Sequence, residues 1–210
     1  MTIQKRTILL AAPLLMLILA SGAHAATVYD ESINPDFTGD RTLPTLVTFQ
    51  FGPNDIFGET GSTGGVVDRD YFTFVIPSGF NLSAIIVLKS SLTAGNAAFF
   101  GLQSGPQVTV DPAAPIAGPL LGYRHLAPAD INTDILPAMG IAPGAAGFAP
   151  PLPAGQYSGW LQDSNVAPTV YGLRFNVTAV PEPGTILLSL TGLAPLALAL
   201  VRKRRTDKRL

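Results

Sequence analysis

Short runs in which every second residue is apolar recur between residues 26 and 179. A period of two sends successive side chains to opposite faces of an extended strand, so it predicts strands buried on one side. The predicted strands cover residues 46–51, 71–76, 82–88, 97–103, 120–125, 157–162 and 170–178. Glycine, proline, asparagine and aspartate separate them, most clearly at 52–55, 77–79 and 153–155. The pattern predicts an all-β fold, a single antiparallel β-sandwich of jelly-roll or immunoglobulin-like type.

Two stretches interrupt this pattern. Residues 58–65 are rich in glycine and predict a flexible loop. Residues 106–153 form an insert rich in proline, alanine and glycine, with one strand near 120–125. Within it, residues 142–153 carry so few large side chains that we expect a long surface loop.

The first 25 residues have the three parts of a secretory signal peptide. Lys5 and Arg6 are followed by an apolar run over 8–20, and Ala23 and Ala25 form a small-x-small cleavage site. The mature chain is then expected to start at Ala26. The alternative is a permanent N-terminal anchor, but the run is short for a span that needs roughly 20 residues.

The last 31 residues combine a rigid motif, an apolar run and a basic end. Pro181, Glu182 and Pro183 precede a stretch over 185–201 that carries no charge. The positive-inside rule keeps the basic tail, 202–210, in the cytoplasm, so this run is predicted to be a transmembrane helix that follows an exported domain. The basic cluster at the start of that tail consists of Arg202, Lys203, Arg204 and Arg205.

This order of motifs resembles the PEP-CTERM sorting signal of Gram-negative bacteria, a tail also named the ice-binding protein C-terminal domain. The resemblance implies export across the inner membrane, recognition by an exosortase and cleavage near Pro181–Pro183. It further implies a cell-surface or extracellular location beside exopolysaccharide and biofilm components. The alternative is an ordinary single-pass anchor in which the proline-rich triplet is only a linker.

A second resemblance lies inside the predicted sandwich. The run Asp68-Arg69-Asp70-Tyr71-Phe72, with a Pro-Ser-Gly turn at 77–79, is similar to the centre of bacterial pre-peptidase C-terminal-type domains. Residues 153–157 and 171–173 resemble later strands of the same family. This resemblance implies a secreted β-sandwich and carries no activity.

Composition narrows the chemistry that the domain can perform. The chain has no cysteine, which excludes disulfides, cysteine-based zinc or iron–sulfur sites and a cysteine nucleophile. His24 belongs to the predicted signal peptide, so His125 is the only histidine left for a catalytic triad, and a structural, half-buried role is expected for it. Residues 26–179 carry five basic and twelve acidic side chains, and this net charge of −7 disfavours nucleic acid as a partner. We therefore predict no catalytic residues.

Two ligand classes stay open. Among the aspartates near predicted turns, which include Asp36 and Asp40, Asp68 and Asp70 are the candidate calcium ligands. The alternative is that such aspartates cap turns and keep the surface soluble, and that Asp70 accepts backbone donors. A carbohydrate-stacking platform is the second class, with core packing as the favoured alternative. Its candidate residues are Tyr123, Tyr157, Trp160 and Tyr171, and Tyr157 and Trp160 are expected on opposite faces of their strand.

The sequence thus predicts an exported surface or matrix protein without catalytic activity, whose partners are the secretion machinery, an exosortase and the membrane. The alternative function is a carbohydrate- or calcium-binding accessory module that acts on the exopolysaccharide. The two differ in whether the domain itself holds a ligand.

Overall fold

The computed structural model describes residues 24–92 and 97–181. Ala23, Glu182, Pro183, the predicted signal helix, the predicted transmembrane helix over 185–201 and the basic residues 202–205 lie outside these ranges. Within these ranges, no helical segment has the length and hydrophobicity that a transmembrane span requires.

The described chain is mostly β-strand, which confirms the all-β prediction. Its strands are β1 (Ala26–Asp30), β2 (Thr45–Leu46), β3 (Gly52–Thr60), β4 (Ser62–Thr63), β5 (Val66–Val67), β6 (Arg69–Ile76), β7 (Phe80–Ser90), β8 (Ala98–Ser104), β9 (Gly122–Leu126), β10 (Gly155–Gln162) and β11 (Thr169–Ala179). A 3-10 turn at Pro128–Asp130 and one short helix, α1 (Leu136–Gly140), complete it.

Two sheets enclose the core. The first has the order β1-β3-β11-β7, the second β2-β6-β10-β8-β9, and β4 and β5 form a separate hairpin. Aromatic rings join the sheets: Phe175 of β11 lies 6.0 Å from Phe72 and 5.5 Å from Phe74 of β6, measured between ring centroids. The apolar faces of both sheets therefore meet in one buried cluster.

The expected purely antiparallel pairing is wrong at two edges. β1 pairs in parallel with β3, and β2 pairs in parallel with β6. The chain alternates between the two sheets through β1, β2, β3 and β6. A strand of the opposite sheet therefore lies between β1 and β3, and another between β2 and β6. A tight hairpin cannot join strands connected in this way, and parallel pairing becomes possible.

The predicted turn at 52–55 is instead the beginning of β3, which also includes part of the predicted loop at 58–65. Buried Asn54 makes this start possible, because its amide donates to the carbonyls of Gln50 and Gly52 and its oxygen accepts from the Gln50 amide. Pro53 is tolerated because β1 joins β3 only from Asn54 onward.

The strand predicted at 46–51 is also shorter than expected. Only Thr45–Leu46 pairs with β6 before the chain crosses to the first sheet. Val47 and Phe49 are buried as predicted, but Phe51 is 62% exposed. The alternation of apolar residues therefore predicted which side chains face the core better than it predicted the extent of the hydrogen-bonded strand.

The insert at 106–153 packs more closely than its composition suggested. Val108, Val110 and Leu120 cover the outer face of the second sheet and bury Tyr71 and Trp160 there. In the stretch expected to be a surface loop, residues 142–153 form neither helix nor strand. That loop is nevertheless anchored, because Leu152 is buried and exchanges two backbone hydrogen bonds with Leu82 on β7. The second sheet is thus covered on both faces.

Candidate metal centre

Three carboxylates meet where the N-terminal segment touches the second sheet. Glu31 directly follows β1, Asp36 lies in the loop after it, and Asp70 is the second residue of β6. One carboxylate oxygen of each lies within 4.8 Å of the others. The cluster therefore joins parts of the chain that belong to different sheets.

Backbone amides fix the Glu31 side chain. Its Oε1 accepts a 2.8 Å hydrogen bond from the Phe37 amide, and its Oε2 accepts a 2.6 Å hydrogen bond from the Glu59 amide. Burial, with a smaller contribution from the neighbouring Asp36, outweighs these bonds and raises the pKa of Glu31 to about 7. Glu31 is thus a positioned carboxyl group whose ionised form is only partly compensated.

Asp70 is fully buried and only half satisfied. Its Oδ2 accepts a 2.7 Å hydrogen bond from the hydroxyl of Tyr171, whereas its Oδ1 has no hydrogen-bond partner among the described residues. Burial, followed by the charge of Glu31, raises the pKa of Asp70 to about 9. An orphaned carboxylate oxygen is costly at such a position unless a proton or a cation neutralises it.

Gly58 of β3 provides the room for this arrangement. A Cβ atom at this position would collide with the Tyr171 hydroxyl and would stand 2.7 Å from Oε2 of Glu31. Only glycine lacks the atom that would displace both groups, so the residue at position 58 controls whether the cluster forms.

The cluster borders an open cleft of about 740 Å³. Further carboxylates line it: Asp30 of β1, Glu59 of β3 and Asp68, which directly precedes β6. Among the described residues, Lys89 is the only basic one in the lining. Such an excess of carboxylates attracts cations, and an oxygen-only donor set suits hard divalent ions such as Ca²⁺ and Mg²⁺.

The structure brings together some of the predicted metal residues and separates others. Asp70 belongs to the three-carboxylate cluster, whereas Asp68 only lines the adjoining cleft. The alternative expected Asp70 to accept backbone donors, but within the described ranges its one partner is the side-chain hydroxyl of Tyr171. Asp40 fits the turn-capping interpretation, since Oδ1 accepts from the amide and hydroxyl of Thr42.

Glu31 was missed as a candidate ligand because it lies 39 positions from Asp70 in the sequence. The parallel pairing of β1 with β3 brings Glu31 to the cluster, and no pattern in the sequence predicts this pairing.

His125 does not have the half-buried setting expected from the sequence. It lies on β9 at the sheet edge and its side chain is exposed. Its ring makes edge contacts with Phe99 and Tyr123, at centroid distances of 5.8 and 5.7 Å. The side chain of His125 is exposed because β9 is the edge strand of the second sheet in the described part of the chain.

The four candidate stacking aromatics do not form one platform. Tyr157 and Tyr171 belong to the core between the sheets, whereas Trp160 and Tyr123 lie on the outer face of the second sheet. Tyr157 and Trp160 therefore point to opposite faces, as predicted, and the core interpretation is confirmed for Tyr157, Trp160 and Tyr171, all of which are buried. A smaller cleft of about 320 Å³ borders Trp160, and its walls include Phe99, Ile116, Tyr123 and His125.

Comparisons with known proteins give no relative: no protein-family model, no curated protein and no solved structure matches the chain.

Proposed function

We propose that the chain is exported across the inner membrane of a Gram-negative bacterium and processed by an exosortase near Pro181–Pro183. Its β-sandwich, of jelly-roll or immunoglobulin-like type, then serves at the cell surface or in the exopolysaccharide matrix without catalytic activity. The observation that carries this proposal is the order of the C-terminal motifs: a Pro-Glu-Pro triplet, a short uncharged apolar run and four consecutive basic residues.

The strand arrangement supports a domain attached at one end. Ala26, the first residue of β1, lies opposite Asn54 of β3, and Asn54 lies opposite Phe175 of β11. β11 runs on to Ala179 at this same end. The chain therefore enters and leaves the sandwich at neighbouring positions. The acidic cluster lies farther along β3. Glu59, whose amide donates to Glu31, is five residues beyond Asn54, about 16 Å at roughly 3.3 Å per residue.

Removal of the basic cluster tests the sorting proposal. Deletion of residues 202–205 in a host that contains an exosortase should leave an unprocessed precursor in the inner membrane. The unaltered chain in the same host without its exosortase is the matched control and should accumulate the same precursor. Normal maturation of the deletion variant, or of the unaltered chain without exosortase, contradicts the proposal.

The cleft beside Trp160 favours a second candidate function, carbohydrate binding at the surface. Trp160 is 2% exposed and its Nε1 has no hydrogen-bond partner within residues 24–92 and 97–181. The rings of Phe99 and Tyr123 in the cleft wall suit a saccharide, which offers C–H surface to aromatic faces, and the buried indole of Trp160 packs behind them. The other ligand class, calcium, fits the acidic cluster instead.

Retention of the full chain on the host's own exopolysaccharide tests carbohydrate binding. Tyr123→Ala should weaken retention because it removes one wall of the cleft. Phe51→Ala is the matched control: Phe51 is an exposed aromatic residue, whereas Tyr123 is half-buried, but Phe51 contacts Phe80 of the first sheet, away from the cleft. Absence of retention, or equal retention of the two variants, contradicts this function.

A further inference from the structure

We propose that Glu31, Asp36 and Asp70 bind one calcium ion, and that this ion ties the N-terminal segment to the second sheet. The proposal deepens the ligand-binding alternative by naming its site, and it rests on that alternative rather than on C-terminal processing.

The spacing of the three carboxylates suits one shared ion. Calcium takes oxygen ligands at roughly 2.3–2.6 Å, so two oxygens on the same ion stand at most about 5 Å apart. The three offered oxygens lie within 4.8 Å of one another. They converge without any rearrangement of the strands that carry them.

An independent observation at Asp70 points to a ligand. Its side chain is 0% exposed, it supplies one of the converging oxygens, and its Oδ1 has no hydrogen-bond partner among the residues described. A buried carboxylate of this kind needs a proton or a positive partner, and both salt bridges in the described chain lie elsewhere, at Arg124–Asp130 and Arg174–Asp55. A bound cation would supply the missing charge.

The surroundings favour calcium over other metals. The three donors are carboxylates, and no imidazole or thiolate from the described residues, the ligands preferred by zinc and copper, joins them. Calcium needs six to eight oxygens and tolerates irregular geometry, and Glu59 and Asp68 line the adjoining cleft together with open space for water. Magnesium requires a stricter octahedron and gives up its water reluctantly, so it fits this mixed and open site less well.

A bound ion would stabilise the edge of the first sheet. β1 lies at that edge, and β3 is its sole partner strand in the part of the chain that the structure describes. The loop after β1 is fixed by Phe37, whose ring centroid lies 4.2 Å from that of Tyr29, in a stacked arrangement, and 5.5 Å from that of Phe72 on β6. Asp36 is the neighbour of Phe37, so an ion bridging Asp36 and Asp70 would reinforce the same connection between segment and sheet.

Calorimetric titration of the full chain, purified in detergent and freed of metal by chelation, tests the site. CaCl₂ should bind with a stoichiometry of one ion per chain. At a hundredfold excess over its Kd, calcium should raise the Tm by roughly 5–10 °C. MgCl₂ at the same concentration should give a smaller increase. The absence of both binding heat and a Tm increase overturns the proposal, and an equal effect of magnesium overturns the assignment to calcium.

Asp36→Asn is the decisive variant, because Asp36 is exposed and its replacement leaves the core unchanged. It should weaken calcium binding at least tenfold and remove most of the Tm increase. Asp111→Asn is the matched control: Asp111 is an exposed aspartate that accepts from the Ala113 amide outside the cluster, and it should bind like the unaltered chain. Calcium binding by Asp36→Asn that equals the control overturns the proposal. The outcome of the processing experiment does not depend on calcium binding. The sorting proposal and the calcium proposal can therefore fail independently.

Discussion

The hydroxyl of Tyr171 on β11 donates a 2.7 Å hydrogen bond to Oδ2 of Asp70 on β6, and so connects the two sheets inside the core. Both side chains are buried, and the bond is the only one that the Asp70 carboxylate makes in the described part of the chain. This single bond therefore holds the orientation of the most deeply buried member of the acidic cluster.

We expect Tyr171→Phe to destabilise the metal-free protein by about 1–3 kcal/mol, because it leaves a buried polar group without its partner. Urea unfolding of the full chain measures the change. Tyr123→Phe is the control: its hydroxyl donates to the carbonyl of Pro143 at the exposed surface, and its loss should cost within about 0.5 kcal/mol. Equal stability of Tyr171→Phe and the unaltered chain would refute this role of the bond.

Gly58→Ala should damage both stability and the cluster. The new methyl group would displace the Tyr171 hydroxyl and the Glu31 carboxylate, and overpacking of this kind costs about 1–3 kcal/mol. The same variant should bind calcium more weakly, because Glu31 can no longer keep its place. Gly118→Ala is the control, since a Cβ there meets no atom within 4 Å. Thermal unfolding with and without CaCl₂ separates the two effects, and unchanged calcium binding by Gly58→Ala would contradict the position assigned to Glu31.

The stability of the metal-free protein should fall as pH rises. Burial raises the pKa of Asp70 from 3.8 to about 9 and that of Glu31 from 4.5 to about 7. The folded state therefore holds these protons more tightly than the unfolded state. Their contribution is complete below the unfolded values and is lost as pH rises through about 7 and then about 9. The charges of Asp36 and Asp68 act in the same direction on Asp70.

Tm values of chelated protein at about pH 5.5 and about pH 8.5 measure this dependence, with the lower Tm expected at the higher pH. Asp70→Asn cannot titrate at this position and should flatten the fall. Calcium should reverse the order, because it binds the deprotonated carboxylates. A metal-free Tm that increases over this interval would be inconsistent with buried, protonated carboxyl groups.

The sequence predicted the strand-rich class and many of the buried positions because side-chain alternation reports local exposure directly. The alternation over residues 71–76 implies opposite faces, and Phe72 and Phe74 indeed lie in the core between the sheets while Tyr71 lies on the outer face. The sequence-based prediction failed where pairing between distant strands overrides local composition. Pro53 and Asn54 are typical turn residues, yet the buried Asn54 side chain donates to the carbonyls of Gly52 and Phe175, and both residues become the start of a central strand.

The sequence predicted only part of the candidate site, again because pairing between distant strands is not encoded in local patterns. Asp70 stands in a recognisable strand motif beside Asp68, whereas Glu31 follows β1, a short strand that was not predicted. Its role depends on the parallel pairing of β1 with β3 and on the space above Gly58, and both are properties of the folded chain. Burial of Asp70 likewise depends on the opposite sheet.

Intact mass spectrometry of the protein recovered from the surface of an exosortase-containing host shows whether the chain is exported and processed as proposed. We expect a polypeptide that begins at Ala26 and ends near Pro181–Pro183. A surface-exposed polypeptide that still extends to Leu210, whether or not the exosortase is present, would contradict the proposal.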